Sequence, residues 1–310
     1  MNTKMKGLTA GLAISALLGL TACGGGGDPL ANDGGDSGGS GESITVGSAD
    51  FAESQLLATI YSQALSGAGM EVQEQLNIGS REVYITALED GSIDLIPEYN
   101  GYLLEELDPE ADTSDRDAIA GQLEETLPDG LMALDPASAE NTNTLVVTQE
   151  FSEKHGGLET ISDLVEADDG SFTLAGPPEW KTRPNTGLPA IEESYGDDFS
   201  DRYETLDGGG PLSLSAVVNG QVDVAMLFSS DPAIAENDLV ALEDDQVIFP
   251  PANIIPLISS DKASDEVVDV LNEVTAALTI EDLMEMNGRV NAGDDLGQIA
   301  SDWLESVDLA

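Results

Sequence analysis

Two stretches of the chain reach an aromatic ring by the same route. Residues 87–99 read ALEDGSIDLIPEY and residues 216–228 read AVVNGQVDVAMLF. Aligned without a gap, they share Ala, an apolar residue, Asp or Asn, Gly, Ile or Val, Asp, a further apolar residue and a closing ring. Each pattern predicts a helix that stops at a glycine (Gly91, Gly220), where the position after a helix favours positive φ. A strand follows, and its far end carries Tyr99 or Phe228. Asp94 and Asp223 close the two corners and are expected to take backbone N–H groups there. Ligands of open α/β sheets bind beyond the carboxyl ends of the strands. Two halves built alike would therefore aim both rings at one cleft, although the same corner also lets each ring pack inside its own half. Aromatic residues make up only 5% of the chain, so a ring away from a core position asks for a reason.

The chemistry on offer is recognition rather than catalysis. The one histidine, His155, stands beside Gly156-Gly157 in a polar stretch and is expected to be solvated. No His/Cys cluster offers a transition-metal site. There is no Gly-x-Ser-x-Gly elbow, P-loop or dinucleotide fingerprint. Gly208-Gly209-Gly210-Pro211 could expose backbone donors ahead of a helix, but it lacks the lysine of a phosphate loop. With 60 carboxylates, an acid pair arises by chance and signals nothing. The expectation is a protein that is not an enzyme and needs no cofactor or metal.

Those 60 acids face 10 basic residues, a formal net charge of −50. Such a field repels nucleic acid and anionic lipid and favours cationic or zwitterionic partners, within a screening length of about 8–10 Å. An acidic surface also keeps a protein hydrated in a salty medium, which is the plainer reading.

The N-terminus predicts export. Lys4 and Lys6 precede an apolar run from Leu8 to Leu20, too short to span a bilayer comfortably and suited to a signal peptide. The run ends in Leu20-Thr21-Ala22-Cys23, which resembles the lipobox of bacterial lipoproteins, where the cysteine receives the lipid. Cys23 is the only cysteine, so no disulfide forms within one copy. Residues 24–42, GGGGDPLANDGGDSGGSGE, are too rich in Gly, Ser and Asp to form a core and read as a flexible tether. The expected organisation is thus a signal peptide with lipobox over 1–23, a tether over 24–42, a first lobe from 43–146 plus 253–310, and a second lobe from 147–252.

Ile44–Val46 reads as a strand, Ala52–Gly67 as a helix stopped by Gly67 and Gly69, Val72–Leu76 as a strand, Ser80–Glu89 as a helix opened by serine, and Ile93–Ile96 as a strand. This alternation predicts an α/β lobe with a mostly parallel sheet. Asn143–Thr148 and Asn253–Ile258 read as two strands linking the lobes, and the helical stretch 262–307 as the completion of the first. Two crossings form a hinge about which lobes can close. Tyr61, Tyr84, Tyr195 and Trp303 sit at helical spacing and are expected to pack.

Four segments, GSADFAESQLLATIYSQAL (47–65), GSREVYITALEDGSIDLIPEYNGYL (79–103), GPPEWKTRP (176–184) and FSSDPAIAENDLVALEDDQVIFPP (228–251), make the chain similar, over nearly all of 43–308, to the glycine betaine/choline/carnitine-binding lipoproteins of ABC importers. The resemblance implies a two-lobed periplasmic-binding-protein-like fold of type II with two crossover strands at the hinge and a cleft between the lobes. It implies a monomer anchored outside the cell membrane through lipid, working with a separate permease and ATPase and binding no nucleic acid. It also implies a quaternary-ammonium solute: a methylated cation cannot donate hydrogen bonds and is held by aromatic faces, while a betaine's carboxylate needs Arg, Lys or backbone donors. Carried over, Tyr99 is the first cage ring, Tyr102 stands where a threonine is usual, and Asn143 occupies the second ring's position. Phe228-Ser229-Ser230-Asp231 carries the third ring, Ala252 stands where the fourth is usual, Ala49 replaces a lysine, and Arg183 fits the carboxylate anchor. Phe51, Glu53, Ser54, Ser229 and Asp231 are carried over as further ligand-binding positions, with Trp180 or Tyr102 able to rebuild the cage. With two cage rings missing, the alternatives are a different small polar or aromatic solute in the same fold, or a lipoprotein that senses rather than transports.

Overall fold

The computed structural model describes residues 43–116 and 118–310; the expected signal peptide, lipidation site Cys23 and tether lie outside them. Among the described residues the strands are β1 (Ile44–Gly47), β2 (Val72–Gln75), β3 (Leu95–Tyr99), β4 (Leu131–Ala133), β5 (Asn143–Thr148), β6 (Leu174–Gly176), β7 (Tyr203–Thr205), β8 (Val224–Phe228), β9 (Leu239–Leu242) and β10 (Ile254–Ser259). They form two five-stranded sheets, ordered β2-β1-β3-β10-β4 and β7-β6-β8-β5-β9. The two orders superpose position by position. In each, a parallel trio (β2-β1-β3 or β7-β6-β8) is followed by a strand that arrives from the other half of the chain and runs antiparallel.

The sheets are therefore mixed rather than mostly parallel, for a topological reason. The chain crosses between halves at the carboxyl ends of the parallel strands, so the strand it enters next must run back the other way. Asn143, the first residue of β5, pairs with Phe228, the last of β8. Ile254, the first of β10, pairs with Tyr99, the last of β3. All of β5 hydrogen-bonds within the second sheet, so the sheet division falls ahead of Asn143 rather than at residue 146.

The repeated corner is built as its residues dictate. Gly91 and Gly220 take φ of +75° and +63°, a region L-residues with a Cβ avoid. Asp94 accepts the Thr45 N–H at 2.8 Å, and Asp223 accepts the Thr173 N–H at the same distance. Each aspartate thus ties the start of its strand to the neighbouring parallel strand, and β3 and β8 then run five residues each to Tyr99 and Phe228.

The helices are α1 (Ala52–Gly67), α2 (Arg81–Glu89), α3 (Asn100–Leu107), α4 (Ile119–Thr126), α5 (Gln149–Lys154), α6 (Ile161–Ala167), α7 (Leu188–Tyr195), α8 (Pro211–Val218), α9 (Ala233–Glu236), α10 (Asp265–Ala277), α11 (Ile280–Ala292) and α12 (Leu296–Ser306). Helix α1 is buried on most of its circumference: Leu56, Leu57, Ile60, Tyr61 and Leu65 are inaccessible and share one core with Val267, Leu271, Leu283, Ile299 and Trp303 of α10–α12. The C-terminal helices therefore cap the first sheet, and the second sheet carries its own cores on both faces. No helix among the described residues is long and apolar enough to cross a membrane. His155 differs from its expectation: its ring packs against Phe151 and Phe172, with centroids 4.5 and 4.7 Å away, because α5 ends at Lys154 and leaves the imidazole over an apolar face.

One glycine holds a crossing in place. A Cβ on Gly101, in α3, would lie 2.1 Å from the Pro251 carbonyl oxygen, where the chain returns to the first sheet. The Asn100 side chain accepts the Asn253 N–H at 2.9 Å beside it. Gly101→Ala is expected to destabilise the protein by at least about 2 kcal/mol, since the obstacle is backbone and cannot rotate away. Urea unfolding checks this, and a change near zero would show that the return segment is not docked there.

Candidate functional site

A cavity of about 540 Å³ opens where β3 and β8 end. Its first wall comes from the start of α1 and the loop before it (Ala49, Phe51, Ala52, Glu53, Ser54), from Pro97 and Tyr99 at the end of β3, and from Tyr102 of α3. Phe228 and Ser230-Asp231-Pro232, just beyond β8, face it from the second half. Helix α11 closes one side with Asn287, Val290 and Asn291. The expected positions Tyr99, Tyr102, Phe228, Phe51, Glu53, Ser54 and Asp231 are thus brought together.

The aromatic part is asymmetric. Tyr99 is buried and belongs to the first core, with its face 6.1 Å from the Phe51 ring, centroid to centroid. Phe51 and Phe228 remain 42% and 37% exposed, which leaves ring surface for a guest. Gly209 seats Phe228: its φ is +74°, and a Cβ there would stand 2.9 Å from the ring. The glycine run 208–210 therefore accommodates a ring rather than a phosphate. The first donors of α8 are already taken, as the Leu212 and Ser213 N–H groups donate to Asp207.

Two glutamates organise the polar part. Glu53 accepts hydrogen bonds from the Tyr99 hydroxyl (2.6 Å), Asn141 Nδ2 (2.8 Å) and Asn287 Nδ2 (2.6 Å). Asn287 also donates to the Ser230 carbonyl at 3.2 Å, which joins α11 to the second half across the cavity. Glu98, fully buried in β3, accepts Arg81 Nε at 2.6 Å and Nη2 at 3.1 Å, the Tyr84 hydroxyl, and the Tyr99 N–H at 2.6 Å. Burial, with Glu53 adding to it, pushes the Tyr99 phenol far above its ordinary range, so it stays a donor. Burial likewise raises the Asp231 carboxyl, helped by Glu236 and opposed by the Ala233 N–H.

Four expected positions are not on this cavity. Trp180 is 1% exposed and stacks on Phe249 at 5.4 Å inside the second core; the turn opened by Pro177-Pro178 points the indole inward. Arg183 is exposed and outside the lining. Burial raises the pKa of Tyr102 and Glu105, and the Arg183 charge offsets part of that rise. Asn143 and Ser229 face a separate cavity of about 340 Å³ beside Thr144 and Phe249. They are turned away by the crossing itself, where Ser229 and Thr142 exchange hydrogen bonds. Tyr102 does line the main cavity, but its hydroxyl accepts the Asn143 N–H and contacts Thr142 Oγ1, so only its ring is free.

Sequence reading missed Arg81, Tyr84, Asn141 and Asn287. Arg81 carried a usable signal, because it is one of 10 basic residues and sits in a segment that carried the resemblance. Asn287 had none: its helix read only as part of the first lobe's completion.

Two α/β halves around a cleft that gathers rings and carboxylates define a two-lobed solute-binding protein. The chain belongs to the family described as the substrate binding domain of ABC-type glycine betaine transport systems, matched over residues 42–306. It is 28% identical over 275 residues to the glycine betaine-binding protein YehZ of Escherichia coli K12, covering 84% of this chain and 90% of that one. It is 26% identical over 287 residues to the chemotactic signal transduction system substrate-binding protein CosB of Halobacterium salinarum, covering 86% and 84%. A crystal structure of a glycine betaine/carnitine/choline ABC transporter protein shares the fold, with a TM-score of 0.77 at 23% identity over 86% of this chain and 99% of that one.

Proposed function

We propose that this protein captures a quaternary-ammonium compatible solute of the glycine betaine or choline type and delivers it to an ABC permease and its ATPase from a lipid anchor at Cys23. The observation that carries the ligand class is the meeting of Phe51, Tyr99 and Phe228 around one cavity whose wall also holds Glu53 and Asp231. A methylated cation has no proton to donate, so it gains from ring faces, roughly 0.5–2 kcal/mol each, and from nearby carboxylates through space. An apolar uncharged solute would leave the carboxylates uncompensated. The two crossing segments, 134–142 and 243–253, serve as the hinge about which the lobes close on the guest.

The deciding experiment is a thermal-shift and calorimetry series with choline, glycine betaine and carnitine against uncharged and anionic solutes. A true ligand raises the melting temperature with concentration by mass action. Stabilisation by methylated ammonium compounds alone supports the reading, and stabilisation only by uncharged or anionic solutes overturns it.

Acidification adds a further prediction. Burial raises the Asp231 carboxyl above its ordinary pKa, and a bound cation favours its ionised form. Choline affinity should therefore decline on acidification earlier than an unperturbed carboxylate would allow, and Asp231→Asn should flatten that decline. Calorimetry across pH checks it; an unchanged slope in the variant would remove Asp231 from the site. The likeness to CosB favours a second reading, a receptor-coupled sensor with the same clamp. Loss of solute uptake on deletion of this protein supports import, and intact uptake with lost taxis supports sensing.

A further inference from the structure

Helix α11 belongs to the first half by its core residues, yet it also faces the second. Leu283 and Met286 are buried in the first core, with Ile280 and Val290 packed beside them. The neighbouring stripe, Met284, Asn287, Gly288 and Asn291, follows the i, i+3, i+4, i+7 spacing of a single helix face. Met284 packs against the second half's cluster around Ala216, Val217, Leu227 and Ile234. A Cβ built on Gly288 would stand 3.6 Å from the Pro232 Cβ, beyond the end of β8. The helix is braced behind this face by a Thr279–Asp282 capping box at its start and by Arg289, bonded to Asp294 and Asp302.

Asn287 joins the halves with one nitrogen. Its Nδ2 donates to Glu53 Oε2 at 2.6 Å in the first half and to the Ser230 carbonyl at 3.2 Å in the second. A carboxylate and a carbonyl only accept, so the amide nitrogen and not its oxygen must face them. The two Nδ2 hydrogens then serve one half each, and all three residues line the cavity. Gly288 supplies the room for this approach. Its φ is not positive, so it has no need of glycine's conformational freedom, and glycine weakens a helix interior relative to alanine. A single methyl there would meet Pro232 at ordinary contact, and a longer side chain would run into it.

We propose that α11 is a latch, a non-covalent link beyond the two crossing segments that holds the halves shut over the cavity. Asn287 and Gly288 are its positioning residues. The latch governs how long a solute is kept more than how fast it enters, because its contacts form once the halves have met. This rests on the reading of the protein as a clamp that closes on a solute.

A bridge between the halves tests the geometry with no solute present. The built Cβ–Cβ distance of 3.6 Å suits a disulfide. The paired substitutions Gly288→Cys and Pro232→Cys in the full chain should therefore cross-link under oxidised glutathione, which takes up the two electrons and leaves as two thiols. Peptide mass mapping reads the bridge, and a paired variant that stays unbridged overturns the latch. The series Gly288→Ala and Gly288→Leu adds the solute arm. Both residues favour a helix over glycine, so a defect in the leucine variant alone is not a loss of helix. Choline release in stopped flow should stay within about twofold for alanine and quicken at least about tenfold for leucine, with association changed less than about threefold. Asn287→Asp, nearly the same shape but without the N–H groups, should quicken release likewise. Leucine and aspartate variants that release choline at the unaltered rate, or that slow association as much as they speed release, would reduce α11 to a structural element. If the bridge forms but the unaltered protein binds neither choline nor glycine betaine, the quaternary-ammonium reading falls and the latch stands.

Discussion

Phe228→Ala should weaken binding of the methylated solute about five- to thirtyfold, the equivalent of one cation–π contact of about 1–2 kcal/mol. Its melting temperature should move by no more than about 2 °C, the usual range for a surface substitution. Phe228 is suited to this test because it is 37% exposed and belongs to none of the four buried clusters. Tyr99 is not, since it lies in the first core and its hydroxyl serves Glu53; truncating it would remove packing as well as a ring face. The series Phe228→Tyr, Phe228→Leu and Phe228→Ala separates the physics. If the ring's quadrupole matters, Tyr binds as Phe does, and Leu loses nearly as much as Ala despite its similar apolar area. Leu and Ala variants that both bind within twofold of the unaltered protein would place the guest away from the second half.

What could be read from the chain alone follows how local each signal is. The twin corners were legible because everything they need lies within thirteen residues: a glycine for positive φ, an aspartate for the neighbouring strand's N–H, an apolar strand and a ring. Helix α1 was legible for a similar reason, its apolar period running unbroken from Leu56 to Leu65 until Gly67 and Gly69. The direction of β5 and β10 was not, because antiparallel pairing follows from where the chain crosses, not from the strand's own residues. Trp180 was misplaced because its partner, Phe249, is 69 positions away, and nothing in GPPEWKTRP says which face the indole takes. Arg183 was chosen by its place in a resembling segment. Arg81 sits in a helix whose apolar spacing reads as packing, and its partner Glu98 lies 17 positions away in β3.

That partnership also sets the largest expected stability effect. Glu98 is 0% exposed, so its charge has no water to fall back on, and Arg81 supplies two of the four donors around it. Removing one member of such a pair costs about 3–5 kcal/mol, because the other is left charged and unpaired. Arg81→Met should therefore cost close to the lower end of that range, since the guanidinium itself is partly solvated. Adding Glu98→Gln should return part of the loss: the amide oxygen still accepts from Tyr84 or the Tyr99 N–H, and no buried charge remains. The order is the informative result. A double variant more stable than Arg81→Met means that the single change acted through the stranded carboxylate. A double variant equal to the sum of the two single changes means that the groups act independently, and the pair would then be packing rather than an electrostatic unit. Urea unfolding of all four proteins gives the comparison. Since Tyr99 hangs from Glu98 by its own N–H, Arg81→Met should loosen the cage ring as it destabilises the fold, whereas Phe228→Ala should weaken the site and leave the fold standing.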